Sequence, residues 1–329
     1  MIGMEKWTYC AAAGLLALAS GTRVGAEDFR RLPVSEYRDR MAAGWIGQMV
    51  GVGWGAPTEF KFSGEIIPDD KVPAWKPEMV NQFNQDDLYV EMTFLRTMEL
   101  HGLDCPVRQA GIDFANSGYQ LWHANKAGRD NLRKGIAPPD SGHPEFNSHA
   151  DDIDYQIEAD FSGLIAPGLP DAVIAMGAKF GRLMNYGDGI YGGQFVGGMY
   201  AEAFFEDDPL KIVEAGLACV PGDSQFAGCI RDTIKWWREN PGDWRKTWSL
   251  IGEKYQKNAD YRRFSCNGPR QPFNIDAKIN AAYIVAGLLY GGRRMEDTIV
   301  ISMKFTSNNG SCDHSSVVAS LRSARTRAT

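Results

Sequence analysis

Apolar residues recur at three- and four-residue intervals along nearly the whole chain, and no alternation in twos is sustained over several segments. That pattern confines the chain to an all-α fold. Leu88, Met92, Leu95 and Met98 form one stripe, and Ile275, Ile279, Ala282, Ala286 and Leu289 form another. The spacing predicts further helices near residues 35–52, 107–122, 150–162, 170–184, 193–205, 223–239 and 244–257. Asn240-Pro241-Gly242 is a stop signal, and Asp243 is placed to cap the helix after it. Trp236, Trp237, Trp244 and Trp248 flank that turn, where packing between helices is favoured over a carbohydrate platform. Gly135–Ser148, rich in Pro, Gly and polar residues, reads as a long surface loop able to border a cleft.

With 329 residues, 44% of them hydrophobic, the chain can bury a large core, and no linker interrupts it. The parse is one domain over 33–329. A formal net charge of −6 gives no electrostatic case for binding nucleic acid. After the N-terminus no run reaches the roughly 18 apolar residues that span a bilayer. Residues 1–26 read as a signal peptide: Lys6 gives the positive start, Cys10–Ala19 the short apolar run, and Val24-Gly25-Ala26 the small residues before cleavage at Glu27. Cys10 sits inside that run rather than after it, so a lipid or other membrane anchor is not expected, and the mature protein reads as exported. Cys105, Cys219, Cys229, Cys266 and Cys312 remain, with no CxxC pair. Buried thiols are the expectation, with a Cys219–Cys229 bridge as the alternative.

Five places in the chain hold candidate chemistry. Gly44, Gly47, Gly51 and Gly55 fall at helical spacing, although each glycine costs a helix about 1 kcal/mol, so a neighbour must approach closely there. Pro57 then breaks the helix and Glu59 follows in a loop. In Asn84-Gln85-Asp86-Asp87-Leu88 two adjacent carboxylates open a helix. They either complement its dipole behind an Asn84 cap or hold a hard cation, which needs several oxygen ligands. Asn185–Phe195 is a glycine-rich run of the kind that lets backbone amides approach a ligand, but it lacks a P-loop or dinucleotide spacing. Asp160 is a carboxylate on a mostly apolar helix, either a ligand or a helix–helix contact. Gly310-Ser311-Cys312-Asp313 adds a carboxylate in a Gly-led turn at the far end. A site that uses both ends of the chain requires a fold that brings them together.

The order of these elements resembles the ADP-ribosylglycohydrolase family, which includes dinitrogenase-reductase-activating glycohydrolase. The likeness covers roughly residues 37–320, and Ala166-Pro167-Gly168 and the Gly-Ile-Tyr-Gly-Gly run are similar to its exported bacterial branch. The resemblance implies a compact, orthogonal all-α bundle with a central metal cleft holding one or two Mg²⁺ ions, Mn²⁺ being an allowed substitute. It implies hydrolysis of an N- or O-glycosidic bond to ribose or a related sugar in a small molecule or glycan. Carried over by position, Gln85, Asp86, Asp87, Ser311, Asp313 and Ser315 are the metal ligands, and Glu59 and Asp87 the catalytic residues. Departures are Gln85 in place of a hydroxyl ligand, Leu88 in place of Thr, and Ser311 in place of the first Asp of a D-x-D turn. After Ser320 the expected small-residue helix gives way to a stretch with Arg322, Arg325 and Arg327, the mark of an altered or truncated end. The alternatives are a binding protein for a nucleotide-sugar or glycan that has lost turnover, and a metal-independent glycosidase pairing Asp86 with Asp160.

Overall fold

Thirteen α-helices occur among the described residues of the computed structural model, which are 29–261, 275–292, 294–305 and 318. The strand-like pairing among them is a single antiparallel bridge between Asp152 and Asp276. The all-α expectation is met. Packing sets 1–33 apart from 34–329, and all of these helices belong to the second unit. None of the described helices is long and apolar enough to cross a membrane.

The first half runs α1 (Val34–Gly55), α2 (Asp86–His101), α3 (Val107–Ala115), α4 (His123–Arg133) and two single turns, α5 (Asp154–Ile157) and α6 (Asp160–Leu164). The second half runs α7 (Pro170–Phe180), α8 (Asp188–Ala203), α9 (Pro209–Ala218), α10 (Gln225–Glu239), α11 (Trp244–Ile251), α12 (Ala277–Gly291) and α13 (Met295–Phe305). Apart from Lys278 and Asn280 α12 is mostly apolar, and it is buried along nearly its whole length, against α8, α9, α10, α11 and α13. Phe94, Phe114, Phe161 and Phe180 join α2, α3, α6 and α7 in one aromatic cluster, with Phe94 and Phe180 stacked at 4.7 Å. Truncating any one of these rings to Ala should cost about 3–5 kcal/mol.

Departures from the predicted boundaries have local causes. The segment expected as a helix over 150–162 is split into α5 and α6. The buried Asn185 side chain takes over its backbone groups, accepting from Tyr155 N at 2.9 Å and donating to the carbonyls of Ala150 and Asp152. The helix begun at Val107 stops at Ala115, and a π-helical turn, Gly252–Gln256, follows α11. On α2 the predicted apolar stripe holds in part: Met98 is buried and Leu95 packs on the core, but Met92 is exposed, and the buried face is Asp87, Val90, Glu91, Phe94, Thr97 and Met98. Two of those six positions are carboxylates, so hydropathy alone misses part of the inward face.

The glycines of α1 and α8 admit protein neighbours. Of the four glycines singled out on α1, Gly44 faces the Leu164 side chain, 2.6 Å from where a Cβ would lie, and the close backbone approach is instead at Gly53, where a Cβ would lie 2.9 Å from the Met79 carbonyl oxygen. A Cβ at Gly193 would lie 2.4 Å from the Tyr155 ring. The glycine-rich run at 185–195 therefore seats α8 against α5 rather than a ligand. The 135–148 loop is pinned, not loose: Asn131 donates to Ser141 and Phe146 carbonyls, and Asn147 donates to those of Ala124 and Met184. Asp243 caps α11 through Lys246 N as expected. Trp236, Trp244 and Trp248 pack on the core beside Tyr255 and Phe305, in line with the packing reading. Cys105, Cys219 and Cys229 are free and buried, so the Cys219–Cys229 bridge is not formed. The signal-peptide segment, Cys266, Cys312 and the residues after Ser320 lie outside the described residues.

Candidate active site

A cleft of about 360 Å³ opens where the end of α1, the N-termini of α2 and α4, α5 and Ile275 meet. Each wall follows from a local rule. α1 breaks at the Ala56–Thr58 turn, which contains Pro57, and this delivers Glu59 to one side. A 3₁₀ turn, Pro77–Asn81, leads the chain into α2, whose first two residues are Asp86 and Asp87. The N-cap of α2 is Gln85, not Asn84, and no side chain caps the helix from that position. Asn84 instead lies on the cleft lining.

Gln85 is buried, and its Nε2 donates to the Val80 carbonyl at 3.1 Å. Its Oε1 is left without a partner. Asp87 is 2% exposed, and its Oδ2 has no partner either. Burial holds the Asp87 carboxyl well above the usual range, and the charges of Asp86, Glu91, Glu59 and Asp160 push it further. Burial also raises Asp86. One turn deeper, Glu91 accepts from Gln48 Nε2 at 2.6 Å and from Phe161 N at 2.9 Å. Asp160 is fully buried against Tyr200 and does not line the cleft. That resolves it as a contact between helices and leaves the proposed Asp86–Asp160 pairing without a shared cavity. The 135–148 loop likewise contributes no residue to the lining.

The opposite wall was not anticipated from the sequence. It consists of Trp122, His123 and Asn125 at the start of α4, with Ile153, Asp154 and Ile157 around α5. Asp154 Oδ1 accepts from Asn125 N at 2.8 Å, while its Oδ2 is buried without a partner. Burial, then the Asp152 charge, pushes the Asp154 carboxyl up to about 8. Asn125 Nδ2 donates to Glu158 Oε1, and Asn125 Oδ1 and Glu158 Oε2 remain unpartnered. His123 holds a left-handed backbone, φ +37°, and burial brings its imidazole down to about 4, so it is neutral at physiological pH. Behind it His149 bonds Asp152 at 2.7 Å. A signal for this wall existed: Asp151, Asp152, Asp154 and Glu158 crowd into eight residues interrupted by apolar ones.

The structure thus brings Glu59, Asp86 and Asp87 to one cleft, with Gln85 beside them. Ser311, Asp313 and Ser315 lie outside the described residues. Among the described residues, no three His, Cys, Asp or Glu side chains form a metal-holding group of their own. No lysine or arginine appears among the described lining residues.

Compared with known families, the chain matches the ADP-ribosylglycohydrolase family over residues 33–311. The chain belongs to the ADP-ribosylglycohydrolase family. Among solved structures it is similar to a chain of an ADP-ribosylglycohydrolase-related protein complex, at a TM-score of 0.55 and 13% identity over 88% of both chains. That likeness concerns the fold. No curated protein sequence matches. Membership in an ADP-ribosylglycohydrolase family supports hydrolysis of a glycosidic bond as the class of activity.

Proposed function

We propose that this ADP-ribosylglycohydrolase family member is an exported, Mg²⁺-dependent hydrolase that cleaves an N- or O-glycosidic bond to ribose or a related sugar. One observation carries the reading. Gln85 Oε1 and Asp87 Oδ2 are buried oxygens without partners, set on either side of Asp86 at the opening of α2. Buried polar atoms in native proteins are nearly always bonded, so a pair of such oxygens beside a cleft fits a missing electrophile. An amide oxygen and carboxylates are a hard, all-oxygen donor set suited to Mg²⁺ or Mn²⁺. Gln85, Asp86 and Asp87 would hold the ion from one end of the chain, and Ser311, Asp313 and Ser315 from the other. When bound, the ion supplies positive charge that polarises water and sugar hydroxyls at neutral pH.

The protein's own groups do the rest. Glu59 faces the cleft and is placed to take the proton from attacking water. Carboxylate oxygens of the cleft lining that are not engaged by the ion, Glu59 among them, would stabilise the oxocarbenium character that grows at the anomeric carbon as the bond breaks. The acidic cleft offers nothing to a nucleic-acid backbone, which leaves a small molecule or glycan as substrate. Export rests on the N-terminal targeting pattern.

The test is thermal unfolding of the purified protein with and without Mg²⁺, alongside hydrolysis of simple ribosides. Mg²⁺ at a hundredfold excess over its Kd should stabilise the native state by about 2.7 kcal/mol. Asp86→Ala should abolish both that shift and turnover while keeping helical circular dichroism. A melting curve indifferent to Mg²⁺ and Mn²⁺ would remove the metal assignment. Metal stabilisation with no riboside turned over would favour a binding protein.

A further inference from the structure

Among the described residues two non-glycine positions hold a left-handed backbone, Phe60 at φ +56° and His123 at φ +37°. For a residue with a Cβ, and a bulky one above all, that region is strained. Both residues line the candidate active site, Phe60 from the segment after α1 and His123 from the start of α4. Strained residues persist only where their surroundings over-determine them, and they cluster where a side chain is aimed at a ligand. The surroundings are in place here. Glu59 N donates to the Ala56 carbonyl at 3.2 Å and Lys61 N to the Thr58 carbonyl at 3.1 Å, which holds the chain on either side of Phe60. The His149 ring, tied to Asp152, packs against the His123 ring with centroids 5.7 Å apart.

The strain has a common product. It sets a phenyl ring and an imidazole at one cleft, the imidazole beside Trp122. Phe60 and Trp122 keep 43% and 37% of their surface exposed, which leaves aromatic faces for a flat ring to stack on. His123 is held neutral by burial and so carries one N–H and one lone pair, a donor and an acceptor on the same ring. A stacking face beside a donor–acceptor pair is what a heterocyclic base requires. A sugar in the same place, with a hydroxyl on nearly every ring carbon, would want polar groups where the Phe60 ring stands. Phe60 directly follows Glu59, so a ring stacked on it lies beside the sugar being cleaved rather than at the far end of a long ligand.

We propose that Phe60 and His123 form the leaving-group subsite of the cleft, and that the group they hold is a heteroaromatic base bonded directly to the sugar, as in an N-riboside. The substrate class rests on the hydrolase reading given above; the base-binding subsite is read by binding alone. One water is consumed in the reaction. Its oxygen bonds the anomeric carbon as the carbon–nitrogen bond breaks, the bonding pair leaves with the base, and the released proton ends on the base nitrogen.

The experiment is calorimetric titration of the full-length protein with adenine, methyl β-D-ribofuranoside and ADP-ribose, with and without Mg²⁺, in the wild type and in Phe60→Gly and His123→Gly. Adenine should bind the wild type, and each substitution should weaken it by about tenfold. Binding of methyl riboside and the Mg²⁺-induced thermal shift should stay as they are in the wild type. Glycine accepts a left-handed backbone without strain, so both variants should melt no lower than the wild type, which a merely structural role for these rings would not allow. Phe60→Trp keeps a stacking face and should retain adenine binding. If a glycine variant does not fold, Phe60→Leu or His123→Asn takes its place. A wild type that ignores adenine, or folded variants that bind it undiminished, overturns the proposal. So does a Phe60→Gly variant that loses ADP-ribose while adenine binds neither protein, since the rings would then hold the distal base of a larger ligand. Adenine binding needs no turnover, so the subsite can fail while riboside hydrolysis stands. A wild type that binds adenine yet ignores Mg²⁺ would instead remove the hydrolase reading and leave the subsite.

Discussion

Two groups of largely buried carboxylates are solved differently. In the first, Asp151, Asp188 and Asp276 surround Lys278, itself only 1% exposed. Its Nζ lies 2.9 and 3.1 Å from the two Asp276 oxygens and 3.4 Å from Asp188. Burial alone would pull the ammonium's pKa down, yet the three carboxylates outweigh it and push the value up. Asp276 also caps α12 through Lys278 N and Ile279 N. In the second group, Asp87, Glu91, Asp154 and Glu158 are all buried, more so than Asp151 and Asp188 of the first. There the described partners are amides, and an oxygen of Asp87, of Asp154 and of Glu158 is left unpartnered. A carboxylate cluster that contains its own cation is architecture. A cluster that lacks one is stable only with protons on it or a cation or ligand beside it.

The largest expected effect comes from removing the internal cation. Lys278→Met keeps the length of the side chain but leaves Asp276 and Asp188 buried without their counter-charge. Breaking a buried pair from one side costs about 3–5 kcal/mol, a large part of a domain's total stability. Urea unfolding should show the midpoint falling steeply, or the protein failing to fold. A loss under about 1 kcal/mol would mean that solvent already reaches this group, and the contrast between the two clusters would dissolve.

The next effect is a pH dependence belonging to the cleft. Asp154 has a carboxyl raised to about 8 in the native state, against about 3.9 when unfolded. Between those values the native state binds the extra proton, so stability falls as pH rises through the window and is fully present only below the unfolded value. One proton corresponds to a slope of up to about 1.4 kcal/mol per pH unit. Asp151, also raised to about 8 by burial, adds a slope of the same sign from the other cluster. Asp154→Asn should therefore flatten the metal-free stability profile without abolishing it. A profile unchanged by that substitution would show that Asp154 is already ionised in the native state.

How much of this could be read from the sequence differs between the same two regions. The helices, the family and the carboxylate pair at 86–87 were legible because periodicity and motif order are local or sequential signals. Part of the face of α2 was not, because hydropathy assigns Asp87 and Glu91 to solvent although both are buried. Asp154 escaped for a related reason. Its role is to cap α4 from 29 residues away, and a cap supplied at that distance leaves no mark beside the helix it serves. The glycine run at 185–195 misled in the opposite sense, since glycine records close approach without saying whether a ligand or Tyr155 does the approaching.

The smallest effect is the most discriminating, because its sign is the measurement. Asp87→Asn removes a carboxylate that burial and four neighbouring acids hold well above its usual pKa. The substitution is nearly isosteric with the protonated acid, and its amide hydrogens would point into a neighbourhood rich in acceptors such as Glu91 and Glu59. Without metal the variant should be as stable as the wild type or more so, by up to about 1 kcal/mol, since hydrogen bonds to charged acceptors replace repulsion. Turnover and the Mg²⁺-induced stabilisation should both be lost. This is the pattern of a site that sacrifices stability for function. If Asp87→Asn instead destabilises by several kcal/mol, as Lys278→Met should, then Asp87 is held by a compensating partner in the native protein. The cleft cluster would then be a second architectural network, and the case for a bound cation at the start of α2 would go with it.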